Sequence, residues 1–74
     1  MITKTQLKAG LPFTYKTKKY TLNCEGDNYY VTDFIGYVGN VSSLGTKSFT
    51  LYKFVMGKMF KVKVEYRDCE LVVE

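Results

Sequence analysis

The sequence contains no histidine, and this absence removes the most common catalytic and metal-binding arrangements. It also has no tryptophan, one proline and two cysteines among 74 residues. Serine–histidine and cysteine–histidine pairs cannot form without an imidazole. The cysteines, Cys24 and Cys69, form no Cys-x-x-Cys motif, so a structural zinc site would lack ligands. We therefore expect no metal, no cofactor and no enzymatic activity.

Long apolar runs are also absent. No stretch approaches the roughly 18 residues of a membrane-spanning helix, and the first residues, MITKTQLK, are too polar for a signal peptide. Two isolated thiols in a cytosolic chain are usually reduced and buried. Whether Cys24 and Cys69 pair stays open, because the sequence does not fix their distance. We expect a cytoplasmic protein without a membrane partner.

The composition is that of a folded domain, with 46% apolar and 16% aromatic residues. Residues 1–74 are long enough for a single domain, but a chain of this size buries only about 60% of its unfolded surface. Three carboxylates, Glu25, Asp27 and Asp33, lie close together in the sequence. The chain has too little mass to build a catalytic cleft around them, which again disfavours an enzyme.

The net charge of +4 is unevenly distributed along the chain. Residues 1–23 and residues 47–64 hold lysines and no acid, whereas residues 24–46 hold acids and no base. Blocks of this kind can gather by sign in a folded meander, so a basic patch is one interpretation. Solubility alone is the other.

A short helix is predicted near the N-terminus, over residues 3–10. Thr3 and Gln6 have the spacing of a capping box, and Ile2 and Leu7 have that of a hydrophobic staple. A helix this short is unstable alone. We therefore expect its apolar residues to dock over one end of a sheet or barrel.

Residues 12–35 are predicted to form the first strands, because their apolar residues alternate with polar ones. A turn at 17–18 would place Tyr15 opposite Tyr20 and Phe13 opposite Leu22. A third strand follows over roughly 29–35. Residues 36–47 contain three glycines in their first ten positions and no run of helix formers, and they are predicted to be a loop.

Residues 48–73 are predicted to form a three-stranded meander. A turn at 57–58 would pair Val55 with Phe60, and a second turn at 67–68 would pair Val64 with Leu71. All of these side chains point to one apolar face, the expected core. The resulting fold class is mostly β: a small antiparallel barrel or rolled sheet, SH3-like, of five to six short strands with a short N-terminal helix.

The opposite face of the first hairpin in this meander combines aromatic and basic side chains. The predicted register places Tyr52 beside Lys63, and Phe54 beside Lys61 and Glu74. The lysine-rich tip of the N-terminal hairpin would extend this face if the two hairpins lay side by side. The candidate binding residues are Tyr52, Phe54, Lys58, Lys61, Lys63, Lys16, Lys18 and Lys19.

Three interpretations of this face compete. The helix or the 36–47 segment could cover it within the same chain. It could bind a protein, as an adaptor, an inhibitor or a homodimer. It could bind RNA or single-stranded DNA, because bases stack on flat rings while ammonium groups neutralise phosphates. A compact, histidine-free, lysine- and tyrosine-rich chain is typical of small phage or viral accessory proteins, in which case the cytoplasm would be the host's.

Overall fold

The computed structural model describes residues 1–73, which form one short helix followed by seven antiparallel strands in a single sheet. The strand order is β6-β5-β4-β3-β2-β1-β7, so β6 and β7 are the two edges. The elements are α1 (Lys4–Lys8), β1 (Phe13–Tyr15), β2 (Lys18–Glu25), β3 (Asn28–Asp33), β4 (Tyr37–Leu44), β5 (Ser48–Val55), β6 (Lys58–Glu65), a 3₁₀ turn (Tyr66–Asp68) and β7 (Cys69–Leu71).

The sheet curls into a half-barrel with the hydrophobic core on its concave side. This confirms the predicted class, a small, mostly β rolled sheet with a short N-terminal helix. The strand count is seven in the described residues, against the five or six predicted. The core consists of Ile2, Leu7, Phe13, Leu22, Val31, Val41, Phe49, Leu51, Val64, Tyr66 and Cys69.

The helix forms as its sequence predicts. The Oγ1 of Thr3 accepts a hydrogen bond from the backbone N–H of Gln6 at 3.1 Å, and the Oε1 of Gln6 accepts one from the N–H of Thr3 at 3.0 Å. Ile2 and Leu7 are fully buried. Five helical residues are unstable alone. The helix therefore depends on these two buried side chains, which anchor it to the sheet.

The N-terminal hairpin has a different register from the one predicted. Phe13 pairs with Tyr20 and not with Leu22. The reason is the turn, which is formed by residues 16–17 and not 17–18, with φ of 49° and 66°. Left-handed backbone is unfavourable for Lys and Thr, so their sequence gives no turn signal here. The two-residue shift keeps every side chain on its predicted face.

The C-terminal hairpin repeats the same shift. Val55 pairs with Lys58 and not with Phe60. The turn is formed by residues 56–57 instead of 57–58, because Met56 adopts φ of 51° beside Gly57 at 78°. The alternation of faces along β5 and β6 is again preserved.

Residues 36–47 were predicted to be a loop, but most of this segment is the strand β4. It pairs with β3 on one side and β5 on the other, with an irregularity in each ladder. Gly39 allows close approach here, since a Cβ at this position would overlap the carbonyl oxygen of Tyr52. The glycine therefore marks a place where the backbones of β4 and β5 approach each other closely, and not a flexible segment.

The last strand, β7, does not continue the meander. Instead of the predicted pairing of Val64 with Leu71, the 3₁₀ turn leads β7 to β1, where Leu71 pairs with Phe13 and Cys69 with Tyr15. Residues so distant in sequence give no local signal of their pairing. An ion pair of 2.7 Å between the N-terminal ammonium and Glu70 also joins the two ends of the chain.

The two cysteines differ in environment, which corrects the prediction that both are core thiols. Cys69 is fully buried, whereas Cys24 is exposed at the end of β2, and neither forms a disulfide. Burial raises the pKa of the Cys69 thiol to about 11, and the nearby Asp68 carboxylate adds to the shift. Burial likewise raises the pKa of Tyr66, whose hydroxyl donates to the carbonyl oxygen of Gly45 at 2.7 Å.

Candidate nucleic-acid interface on the outer face

The strand pairings align five polar and aromatic residues in one row on the convex side of the sheet. Each pairs with the next across five neighbouring strands, β2 to β6. Directly opposed residues of antiparallel strands share a face. Leu51 points into the core, so the next residue, Tyr52, and the residues in line with it point outward. We call this set the cross-strand row: Asn23, Tyr30, Asn40, Tyr52 and Lys61.

Four aromatic rings lie in or beside the cross-strand row. Tyr30 and Tyr37 stand together, with ring centroids 6.3 Å apart. Tyr52 lies two strands from Tyr30, which corresponds to about 10 Å at the usual strand spacing. Phe54 follows on the same face of β5 and is 68% exposed. The rings therefore form an extended surface and not one closed cluster.

Lysines lie beside these rings. The Nζ of Lys61 is 5.5 Å from the ring centroid of Tyr52, a cation–π contact. Lys63 lies on the same face of β6 opposite Thr50, and Lys58 lies at the end of the hairpin opposite Val55. No carboxylate belongs to the cross-strand row. The outer face of β5 and β6 thus combines stacking surface with positive charge.

The predicted neighbours on this face were displaced by the register shift. Tyr52 lies opposite Lys61 and not Lys63, and Phe54 lies opposite Met59 and not Lys61. The predicted position of Glu74 falls outside the described residues. Tyr52, Phe54, Lys61 and Lys63 nevertheless share one face, because the shift is an even number of residues. Lys58 does not share it, since it pairs with Val55 on the concave side of the hairpin.

The lysines of the N-terminal hairpin do not extend this face. Two strands, β3 and β4, separate the two hairpins, so the hairpins do not lie side by side. The Nζ of Lys16 is 5.5 Å from the ring of Tyr15. Lys18 and Lys19 lie beside the loop that contains Phe34. Lys16 and Lys18 therefore belong to a different part of the surface, and Lys19, which shares the convex side of β2 with Asn23, is separated from β5 by two strands.

Sequence reasoning missed Asn23 and three further members of the outer face: Tyr30, Tyr37 and Asn40. The alternation around Tyr30 was ambiguous, because both parities of β3 carry apolar residues. Tyr37 and Asn40 lie on β4, which was predicted to be a loop because of its glycines. The alternation of Gly39 and Val41 as inward, buried positions with exposed Asn40 between them was the available signal.

Cover within the same chain does not account for this surface. The helix packs near β2, and residues 36–47 lie beside β5 as a strand and not over it. Phe54 is left open to solvent, while Tyr52 is half-buried among its strand neighbours.

The carboxylates near the β2–β3 and β3–β4 turns are either hydrogen-bonded to the backbone or exposed to solvent. One oxygen of Asp33 accepts hydrogen bonds from the backbone N–H groups of Ile35 and Gly36, at 2.8 and 2.9 Å. Glu25 and Asp27 are exposed. Within residues 1–73, no three potential metal ligands of the His, Cys, Asp or Glu type are grouped closely enough to hold an ion.

The fold and the outer face together define a small β-barrel-type domain with an aromatic and basic sheet surface. Searches of protein-family models, curated proteins and solved structures find no match to the chain. The residues that bear on function are therefore those that the geometry singles out.

Proposed function

We propose that this protein binds single-stranded nucleic acid, RNA or DNA, through the outer face of β3 to β6. The observation that supports this function is the segment Tyr30–Asn40–Tyr52–Lys61 of the cross-strand row, where two rings flank an amide and end at an ammonium group. No catalytic step is involved, and we propose a binding module and not an enzyme.

The physical basis is stacking combined with charge neutralisation. A base that stacks on an exposed aromatic side chain contributes about 1–3 kcal/mol, whatever its identity. Tyr52 and Phe54 are the stacking residues on β5, and Tyr30 and Tyr37 extend the surface. Lys61 and Lys63 then contact phosphates along the strand.

Single strands suit this surface better than duplexes. The bases of a duplex are stacked on each other and expose only their edges, so a flat ring on a sheet cannot reach a base plane. The convex outer face also cannot enter a groove as a helix or a two-stranded ribbon does. Unpaired bases can instead splay over the rings.

The first test is a titration of a single-stranded oligonucleotide into the protein and its Tyr52→Ala variant. Loss of one stacked base should weaken binding roughly 5- to 150-fold, the equivalent of about 1–3 kcal/mol. The matched control is Tyr29→Ala, which removes a half-buried tyrosine near the helix and away from the cross-strand row. Circular dichroism would verify that both variants fold.

The second test repeats the titration at two salt concentrations. Each phosphate neutralised on a single strand contributes about 0.7 to the slope of log affinity against log salt. Lys61→Gln and Lys63→Gln should each lower the slope by about this amount, whereas Lys47→Gln, on the β4–β5 connection, should not. A flat salt response, or no binding at low salt, would contradict the proposal.

A protein interface on the same face is the second candidate function, as an adaptor, an inhibitor or a homodimer. It is favoured by one pair, Phe54 and Met59, which lie opposite each other and are both exposed. The salt slope would then be shallow, and a homodimer would exceed the chain mass of 8.5 kDa in light scattering. A phage or viral origin and a cytoplasmic location stay predictions from the sequence.

A further inference from the structure

Three of the chain connections lie at the same end of the half-barrel. Successive connections of an antiparallel meander alternate between the two ends of the sheet. Residues 16–17, 34–36 and 56–57 therefore share one end, which we call the distal end. Residues 26–27, 45–47 and 66–68 belong to the other.

Large apolar side chains at the distal end are open to solvent. In the β3–β4 connection, Phe34 is 89% exposed and Ile35 is exposed beside it. At the β5–β6 turn, Met56 is 97% exposed and is flanked by exposed Val55 and Phe60. These five residues form two protruding apolar tips, in which Phe34, Ile35 and Met56 are almost fully exposed and Val55 and Phe60 are about half exposed. Such exposure is unusual for a small domain.

The charges are divided between the ends. Lys16, Lys18, Lys19 and Lys58 lie at the distal end, next to the apolar tips. Asp33, the carboxylate that borders the β3–β4 connection, has an oxygen that already accepts two backbone N–H groups. Glu25, Asp27 and Glu65 lie toward the opposite end, whereas Glu70 lies opposite Thr14 in the β1–β7 ladder and forms an ion pair with the N-terminal ammonium.

Charge and shape together restrict the partner. Like charges around both tips oppose the docking of a second copy end to end. The structure is elongated, 35 × 23 × 22 Å, and its tips are convex, so a rigid partner would need a separate apolar groove for each. An anionic lipid surface meets both conditions, since it deforms around protruding side chains and attracts lysines.

We propose that the distal end docks on anionic lipid bilayers, with the two apolar tips inserted between headgroups and the surrounding lysines on the phosphates. The expectation of no membrane partner rested on the lack of a spanning segment. In the described chain no helix is long and apolar enough to cross a bilayer, but surface docking needs none. This site is separate from the proposed nucleic-acid surface.

The test is sedimentation with vesicles of phosphatidylserine and phosphatidylcholine, compared with vesicles of phosphatidylcholine alone. The protein should bind the anionic vesicles, and salt should weaken the binding. The double variant Phe34→Ser/Met56→Asn should reduce binding at least about ten-fold, since each buried CH₂ group contributes to the partition. Asn tolerates the left-handed backbone at position 56, so the variant should fold.

The matched control is Val73→Asn, which removes a side chain that is 91% exposed near the opposite end. Its vesicle binding should equal that of the parent protein. Failure to sediment with anionic vesicles, or equal loss in both variants, would overturn the proposal. So would a mass in light scattering that exceeds one chain and returns to one chain in the double variant, because the tips would then join two copies. Oligonucleotide affinity should be unchanged in the double variant, which separates this site from the outer face.

Discussion

The two halves of the β5–β6 hairpin share one alternating pattern but differ in what their concave side contacts. In the base half, Phe49, Leu51 and Val64 are buried. In the tip half, Val55 and Phe60 occupy the same side of the same strands and are exposed.

The difference arises from the neighbouring strand. β4 pairs with β5 from Phe49 to Tyr52, and no pair is formed beyond Tyr52. The base half also faces the rest of the half-barrel, where the ring of Phe49 lies 6.4 Å from that of Phe13 and 6.3 Å from that of Tyr66. The tip half has only two strands, which alone are marginally stable.

Apolar alternation therefore reveals which face a residue occupies but not how far the core extends. The base half uses its apolar side chains for folding. The tip half keeps equally apolar residues without burying them, and so they are available for binding.

The largest effect should come from truncation in the base half. Phe49→Ala removes a buried ring in contact with two others and should cost about 3–5 kcal/mol of the free energy of unfolding. That is a large part of the stability of a domain this small. Urea denaturation followed by circular dichroism would measure it. A loss below about 1 kcal/mol would mean that the base half is not the core.

Alkaline pH should also weaken the hydrophobic core, which contains Cys69 together with the buried residues of the base half. The pKa of Cys69 is raised from 9.0 to about 11 because burial disfavours the thiolate. The neutral thiol thus stabilises the fold fully below pH 9, and this contribution is lost as pH rises through about 11. The difference between the two pKa values corresponds to a loss of at most about 2.7 kcal/mol.

Urea titrations at several alkaline pH values would measure this loss. Cys69→Ala should show a smaller fall in stability over that range than the parent chain. Cys24→Ala is the matched control, because Cys24 is exposed, and it should behave as the parent does. Identical pH profiles for both variants would show that Cys69 is not responsible.

The boundary between the halves depends on Gly39. Its missing Cβ lets the backbone carbonyl of Tyr52 pass close by, so Gly39→Ala should force the strands apart and cost about 1–3 kcal/mol. Ser43→Ala, an exposed position on the same strand, should change the stability by less than about 0.5 kcal/mol. Equal melting temperatures for the two variants would contradict the close approach.

Much of the fold could be predicted because the responsible signals are local. The capping box of Thr3 and Gln6 predicts the helix, and alternation predicts which residues of β2, β5 and β6 face inward. The outward side chains Tyr52, Phe54, Lys61 and Lys63 were found in this way.

What could not be predicted has two physical causes. The pairing of β7 with β1 and the role of β4 are decided by long-range contacts that local propensity does not report. The registers of both hairpins depend on left-handed backbone at Lys16, Thr17 and Met56, which the surrounding sheet imposes against their intrinsic preference. Tyr37 and Asn40 were missed from the outer face for the first reason, and Tyr30 was missed because both parities of β3 carry apolar residues.

The strained turn of the tip half offers a small gain in stability. Met56 has φ of 51° and is almost fully exposed, so Met56→Asn relieves backbone strain and removes no core contact. An Asn-Gly pair also favours this class of turn. The melting temperature should rise by the equivalent of about 0.5–1 kcal/mol. Gly57→Ala, which introduces a side chain at φ of 78°, is the opposite control and should lower it.

The smallest effect is expected for Phe60→Ala in the tip half, and it bears most directly on the comparison. Phe60 lies on the same side of β6 as buried Val64, yet it is half open to water and has no strand beyond it. Truncation should therefore change the free energy of unfolding by less than about 1 kcal/mol, against about 3–5 kcal/mol for Phe49→Ala. The two substitutions remove the same atoms from the same face of one hairpin, so urea denaturation of both isolates the effect of position. A cost for Phe60→Ala close to that of Phe49→Ala would show that the tip is packed in solution, and the apolar tip would then belong to the core and not to a binding surface.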